Sequence, residues 1–175
     1  MENAGGKNIK NGSAFHFYYE SLKDSYMNQK LNCIMLIDDD EPTNFLNSMI
    51  IEEAGCTNHL QIEDSGQRAI NYLVNSKKCA HDNKNYLWPD LIFVDINMPA
   101  MNGWEFLAGY NELVKDHMGD IIMVMLTTSL NPDDEVKAKN FAGVTDFRLK
   151  PLTEQLLSEI LDTYFTGHFP KKYHQ

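Results

Sequence analysis

Two periods of apolar residues alternate along the chain. Compact runs at 32–37, 59–62, 91–95, 121–126 and 145–149 are rich in aliphatic and β-branched residues and predict five strands. Leu91–Val94 and Ile121–Leu126 read as strands buried on both faces. Between the runs, apolar residues recur at spacings of three and four, the helical period. Pro42 opens a helix that carries Phe45, Leu46, Met49 and Ile50 on one face, and Gly55 stops it. Ser65 starts a second, with Ala69, Ile70, Leu73 and Val74 inward. A third follows Gly103 and carries Phe106, Leu107, Tyr110, Leu113 and Val114.

Asn131-Pro132-Asp133-Asp134 starts a fourth helix, to about Asn140: a cap, a proline, then acids at the positive dipole end. It has few apolar residues beyond Val136 and Ala138 and should be weakly held. Leu156, Leu157, Ile160, Leu161, Tyr164 and Phe165 make the inner face of the last helix. Strand and helix alternate five times, which predicts an α/β fold with a parallel sheet covered on both faces. Ser76 to Trp88 holds no periodicity and reads as a long loop.

Residues 1–12 read as a disordered tail. After Ser13, the spacing of Phe15, Tyr18, Tyr19, Leu22 and Tyr26 fits a short amphipathic helix with an aromatic face. So short a helix is marginal alone in water, so that face has to dock on the main domain or on a second chain. The expected boundaries are an N-terminal tail at 1–30, one domain at 31–166 and a C-terminal tail at 167–175.

Composition narrows the function. A chain of 175 residues with 43% hydrophobic and 23% charged content suits one well-buried domain. A formal charge of −10 opposes a phosphate backbone, so no nucleic-acid partner is expected. The longest aliphatic run is far too short to span a bilayer, and the amino terminus lacks a secretory pattern; the expectation is a cytoplasmic protein with no membrane partner. Cys33, Cys56 and Cys79 form no Cys-x-x-Cys pair and read as reduced thiols. The six histidines offer no His-Glu-x-x-His spacing.

The chemistry gathers at strand ends. The first, third, fourth and fifth strands terminate in Asp38-Asp39, Asp95, Thr127-Thr128 and Lys150-Pro151. In a parallel sheet these ends share one edge, where such folds place their sites. Clustered carboxylates repel one another by roughly 4 kcal/mol per pair at about 4 Å and an effective dielectric near 20. A cation must offset this. Mg²⁺ takes oxygen ligands, and the Lys150 ammonium is available beside it. Acids, a divalent ion, a hydroxyl and a lysine suit phosphoryl transfer, with Asp95 as the central candidate nucleophile. Each part alone has an ordinary reading as turn cap, strand end or surface ion pair. Together and in this order they are hard to attribute to chance.

Ile-Met-Leu-Ile-Asp-Asp-Asp-Glu, Phe-Val-Asp-Ile-Asn-Met-Pro-Ala-Met-Asn-Gly, Met-Leu-Thr-Thr-Ser and Phe-Arg-Leu-Lys-Pro-Leu resemble the receiver domain of two-component response regulators. The resemblance covers about residues 31–166. It implies a CheY-like, flavodoxin-like doubly wound (βα)5 fold with a five-stranded parallel sheet in the order 2-1-3-4-5. It implies Asp95 as phosphoacceptor, and Mg²⁺ held by Asp39, Asp95 and the backbone carbonyl of Asn97, with Asp38 acting mainly through a bound water. Thr127 would hydrogen-bond the phosphoryl group, Lys150 would pair with it, and Phe147 would be the aromatic switch that turns inward as Thr127 moves. Asp38-Asp39-Asp40 leaves the register of the acidic pair open by one residue; Asp38 and Asp39 are chosen because they directly follow the apolar run. Thr128 stands where similar receivers often have a smaller residue, which would restrict access to the site. The resemblance implies that Lys150-Pro151 can be a cis peptide, as in similar domains; from the sequence alone the expectation is trans, since X-Pro bonds are cis only about 5–6% of the time in folded proteins.

The function this implies is a stand-alone receiver and not an enzyme, a monomer or weak dimer. Its partners would be a sensor histidine kinase or phosphotransfer protein and an unidentified downstream protein. The surface of the fourth helix, fifth strand and last helix is the expected output face. A phosphorylation-independent adaptor on the same fold is the alternative. An aspartyl-phosphate phosphatase ranks lower, because the position two residues after Asp95, where such enzymes carry a general acid, is Asn97.

Overall fold

The computed structural model describes residues 30–78, 86–115, 121–129 and 131–166. The aromatic segment at 13–26 and the tail at 167–175 lie outside them. Five strands, β1 (Ile34–Ile37), β2 (Leu60–Glu63), β3 (Leu91–Asp95), β4 (Ile122–Thr127) and β5 (Asp146–Leu149), pair in parallel in the order β2-β1-β3-β4-β5. They alternate with α1 (Glu41–Ala54), α2 (Gly66–Lys78), α3 (Gly103–Leu113), α4 (Pro132–Asn140) and α5 (Glu154–Tyr164). This is the doubly wound order expected from the motifs. Among the described residues no helix is long and apolar enough to cross a membrane.

The interior strands feed two cores at once. Met35, Ile37, Ile92, Val94, Met123 and Met125 face Leu73 of α2 and Phe106 and Leu107 of α3. The alternate positions Ile34, Leu36, Leu91, Phe93, Val124 and Leu126 face Ile51 of α1 and Leu157 and Ile160 of α5. Each such side chain is essentially removed from water, a gain of about 1.5–3 kcal/mol apiece before entropy is counted. β1 and β3 are therefore clamped from both sides, and so are the residues at their carboxyl ends.

Helix α1 reverses the expected orientation. Asp40 caps it by accepting from the Thr43 amide at 2.9 Å, and Gly55 ends it in the left-handed region at φ 59°. Its buried residues are Asn44, Asn47 and Ile51. Phe45, Leu46 and Met49 of the apolar stripe are instead 62%, 60% and 51% exposed, and Ile50 is half-buried. Asn44 goes inward because its amide donates to the Asp38 carbonyl at 2.7 Å, closing the β1–α1 turn.

The expected loop at 76–88 is shorter than predicted. α2 continues to Lys78, and Ser76 is buried within it. The Ser76 and Tyr72 hydroxyls both donate to the Leu87 carbonyl, at 3.0 and 3.1 Å, which ties the return segment to the helix. Periodicity failed here because the last turn, Ser76 to Lys78, carries no apolar residue, and Ser76 is held inward by its hydrogen bond to Leu87. Ala138 is the one buried residue of α4 among those described. That helix is held mainly by Lys137, whose ammonium lies 4.3 Å from the Trp104 ring centroid, and by the Trp104–Phe141 ring pair at 5.5 Å.

The β3–α3 connection is tight. A Cβ at Gly103 would fall 2.5 Å from the Asp95 carbonyl oxygen, so only glycine fits there. Asn102 and Glu105 form a reciprocal capping box at the start of α3. Between them and β3, Ala100 has φ 63°, in the left-handed region that costs an L residue about 1–2 kcal/mol. Ala100→Gly is therefore expected to raise stability, offset in part by the greater freedom of glycine in the unfolded chain, by a net of about 1 kcal/mol. A denaturant midpoint shift with unchanged slope reads this directly.

Candidate functional site

The strand register brings the acids level. Ile37 pairs with Val94, so the next residues, Asp38 and Asp95, stand side by side at the carboxyl edge. Asp38 and Asp95 are 4% and 7% exposed, while Asp39 is exposed. One carboxylate oxygen from each of Asp38, Asp39 and Asp95 lies within 4.8 Å of the others. Asp40 turns away to cap α1; hydrogen bonds from the Thr43 side chain and backbone amide hold its carboxyl below the usual range. In the structure Asp38 and Asp39 therefore gather with Asp95 while Asp40 serves the β1–α1 turn.

On the far side of the acids, β5 ends next to β4. Thr127 pairs with Leu149, and the Lys150 amide donates to the Thr127 carbonyl at 2.8 Å. The Lys150 ammonium then reaches across the sheet edge, 2.6 Å from Asp38 Oδ2 and 3.1 Å from Asp95 Oδ2. Thr127 is fully buried, and its hydroxyl accepts from the Ser129 amide at 2.9 Å. Thr128 is exposed beside Lys150 on the rim of a groove, and Asn97 is exposed in the turn after β3. Phe147 is half-buried on β5 and lines a separate cleft toward α4. The Lys150–Pro151 peptide is cis, against the trans expectation; the tertiary amide makes that form accessible, and no local signal marks it.

Electrostatics make the triad interdependent. Burial pushes the Asp38 carboxyl up, opposed by the hydrogen bond and charge of Lys150 and by the Asp40 amide. Burial alone would push the Lys150 ammonium down, but the hydrogen bonds and charges of Asp38 and Asp95 outweigh it and raise its pKa. The lysine is therefore fully charged at neutral pH. Two buried acids thus share one half-buried ammonium, with Asp39 exposed at the mouth of the site.

The donor set suits a hard divalent ion. Three carboxylate oxygens lie within 4.8 Å, and an octahedral Mg²⁺ with ligands at about 2.1 Å separates opposite donors by about 4 Å. Soft ligands are absent from the cluster. The sequence reading missed Asn44, which fixes the Asp38 backbone and whose Oδ1 is buried without a protein partner. The available signal was a pair of asparagines three apart in a helix interior, where asparagine is otherwise disfavoured.

The sequence matches the response regulator receiver domain family over residues 34–162. The chain belongs to that family. Receivers are the phosphoacceptor modules of two-component signalling; they interact with histidine kinases or phosphotransfer proteins and with downstream targets, and bind Mg²⁺ at an acidic pocket. A two-component response regulator from Cytophaga hutchinsonii is 35% identical, with a TM-score of 0.64 over 76% of this chain and 96% of that one. Protein PilH of Pseudomonas aeruginosa is 27% identical over 76% of this chain and 98% of its own length. Other relatives are longer: the receiver spans 53% of the transcriptional regulatory protein CitT of Halalkalibacterium halodurans, at 26% identity over 77% of this chain. It spans 6% of hybrid signal transduction histidine kinase I of Dictyostelium discoideum, at 30% identity over 59% of this chain.

Since Lys150 bridges two buried carboxylates in this receiver, Lys150→Met is expected to lower unfolding free energy by about 3 kcal/mol at neutral pH without divalent ions. The raised Asp38 pKa sets the pH dependence: as pH falls through it, a proton on Asp38 relieves the repulsion and the deficit narrows. In the unsubstituted chain the stabilisation from Lys150 is complete below its ordinary pKa of 10.5 and is lost as pH rises through its elevated value. Denaturant titrations of both proteins at several pH values measure all three effects.

Proposed function

We propose that the chain is a stand-alone receiver that accepts a phosphoryl group on Asp95 from a histidine kinase or phosphotransfer protein, in a Mg²⁺-dependent reaction, and signals by phosphorylation-dependent protein contact. The observation that carries this is the single ammonium of Lys150 within hydrogen-bonding distance of both Asp38 and Asp95 at the strand ends. The match over 98% of the length of PilH supports the stand-alone reading, since that relative is scarcely longer than a receiver.

In this reading an Asp95 carboxylate oxygen attacks phosphorus in line with the leaving group. The new O–P bond forms as the bond from phosphorus to the donor's imidazole nitrogen breaks, and the imidazole keeps that electron pair. Asp38, Asp39, Asp95 and the Asn97 carbonyl would hold Mg²⁺, with Asp38 acting mainly through water, and the ion would supply positive charge to the equatorial oxygens. Lys150 exchanges its carboxylate contact for a phosphoryl oxygen. Thr127 leaves the Ser129 amide and donates its hydroxyl proton to another, and Phe147 follows it inward as the switch. Thr128, exposed on the rim, narrows the approach to Asp95.

The output face is the cleft of about 510 Å³ between α4, β5 and α5, lined by Ser129, Pro132, Glu135, Phe147, Leu149 and Leu156. Val136 and Leu149 beside it are 58% and 50% exposed. It adjoins the Thr127 strand end, so movement of Thr127 and Phe147 would change its shape.

Incubation with acetyl phosphate and Mg²⁺ is expected to add one phosphoryl group to the wild type and none to Asp95→Asn, read by intact mass. An unlabelled wild type would remove the phosphorylation claim, and partner binding unchanged by Asp95→Asn would favour the adaptor. Mg²⁺ at a hundredfold its Kd is expected to stabilise the folded chain by about 2.7 kcal/mol. Asp39→Asn should weaken that gain; no shift in melting at saturating Mg²⁺ would count against the acidic pocket.

A further inference from the structure

Asn44 occupies a position that folding alone does not favour. It stands inside α1, where asparagine is a poor helix former, and is 6% exposed while its apolar neighbours Phe45 and Leu46 face water. Its Oδ1 atom is buried with no donor from the protein. A buried acceptor left in that state is uncommon and calls for a reason beyond packing.

The other half of the same amide supplies one. Asn44 Nδ2 donates to the Asp38 carbonyl at 2.7 Å, which fixes which way round the amide sits, because the reverse would set two oxygens against each other. That carbonyl belongs to the planar peptide joining Asp38 to Asp39, so the bond sets the tilt of the plane. The next plane, Asp39 to Asp40, is set in turn by the Asp40 amide, which donates to Asp38 Oδ1 at 3.0 Å. Between two pinned planes the direction of the Asp39 Cβ is determined.

Asp39 depends on this more than Asp38 does. The Asp38 amide donates to the Glu63 carbonyl at 3.2 Å, and Asp38 Oδ2 meets the Lys150 ammonium at 2.6 Å. Neighbouring strand ends therefore hold it. The Asp39 carboxylate is exposed and takes no hydrogen bond or ion pair among the described residues, yet one of its oxygens lies within 4.8 Å of oxygens of Asp38 and Asp95. Only its peptide planes keep it there.

We infer that Asn44 is a positioning residue for divalent-ion binding: through the Asp38–Asp39 peptide it aims the Asp39 carboxylate into the acidic cluster without touching the ion. This rests on the reading of Asp38, Asp39 and Asp95 as the Mg²⁺ site. Mg²⁺ accepts little departure from octahedral geometry, so a ligand swung off its direction loses affinity even where the charge count is unchanged. The role also accounts for the orientation of α1, since an inward Asn44 turns the adjacent Phe45 and Leu46 outward.

Mg²⁺ titration calorimetry on the full chain, without phosphodonor, tests this in a double-mutant cycle with Asp39. Asn44→Leu, which keeps the volume and removes the donor, is expected to raise the Mg²⁺ Kd by about tenfold, as does the loss of other groups that orient metal ligands from behind. In an Asp39→Asn background the same change should shift Kd by less than about twofold, because the carboxylate it aims is gone. Asn44→Ala should behave alike, and Ile51→Val, which loosens the far end of α1, should leave the wild-type Kd in place. Each variant is titrated at a temperature where circular dichroism shows it folded. An unchanged Kd in the Asn44 variants, an equal loss in both backgrounds, or the same loss in Ile51→Val would overturn the inference. Those outcomes leave the phosphorylation of Asp95 standing, whereas a wild type that binds no Mg²⁺ would overturn both.

Discussion

One ammonium holds the working end of this molecule together. Lys150 lies 112 residues from Asp38 in sequence, yet their side chains meet at 2.6 Å, and Asp95 joins them from a third strand. Without that charge, β1 and β3 would end in carboxylates forced side by side with no other ion-pair partner among the described residues. The fold makes the meeting unavoidable. Ile37 pairs with Val94 and Thr127 pairs with Leu149, and apolar layers on both faces prevent the strands from slipping. The arrangement is also exchangeable: in the proposed reaction a bound cation and a phosphoryl group would each alter which acid the lysine needs to neutralise.

Elements whose residues are driven by one dominant force could be read from sequence. The interior strands are near-continuous aliphatic runs, because helices cover both faces and no position on them faces water. The chemistry-bearing residues are the first polar ones after each run, so the strand ends and the candidate site were legible together. Asp40 was separable from its neighbours only in three dimensions, where its carboxylate serves the α1 amides. The limits of α2 were obscured for a related reason: its last turn, Ser76 to Lys78, has no apolar residue, and Ser76 is buried by a hydroxyl hydrogen bond to the return segment.

Stability is distributed unevenly around the sheet. α3 is fixed by a capping box, by the close approach of Gly103 to the Asp95 backbone, and by Phe106 and Leu107 in the core. α4 has a single buried residue and leans on one aromatic pair and one cation resting on an indole. A small displacement at the strand ends therefore meets stiff resistance on the α3 side and little on the α4 side.

Helix α1 misled the periodicity argument because its two faces answer to different demands. The inward asparagines satisfy backbone and turn, and Ile51 alone of its apolar residues is fully enclosed. Ile50 packs against the core from its edge, whereas Phe45, Leu46 and Met49 contribute little to holding the domain. Natural variation could accordingly rewrite Phe45, Leu46 and Met49, and with them the choice of neighbour, while the folding energy of the domain stays nearly constant: specificity and foldability occupy separate columns of one helical wheel.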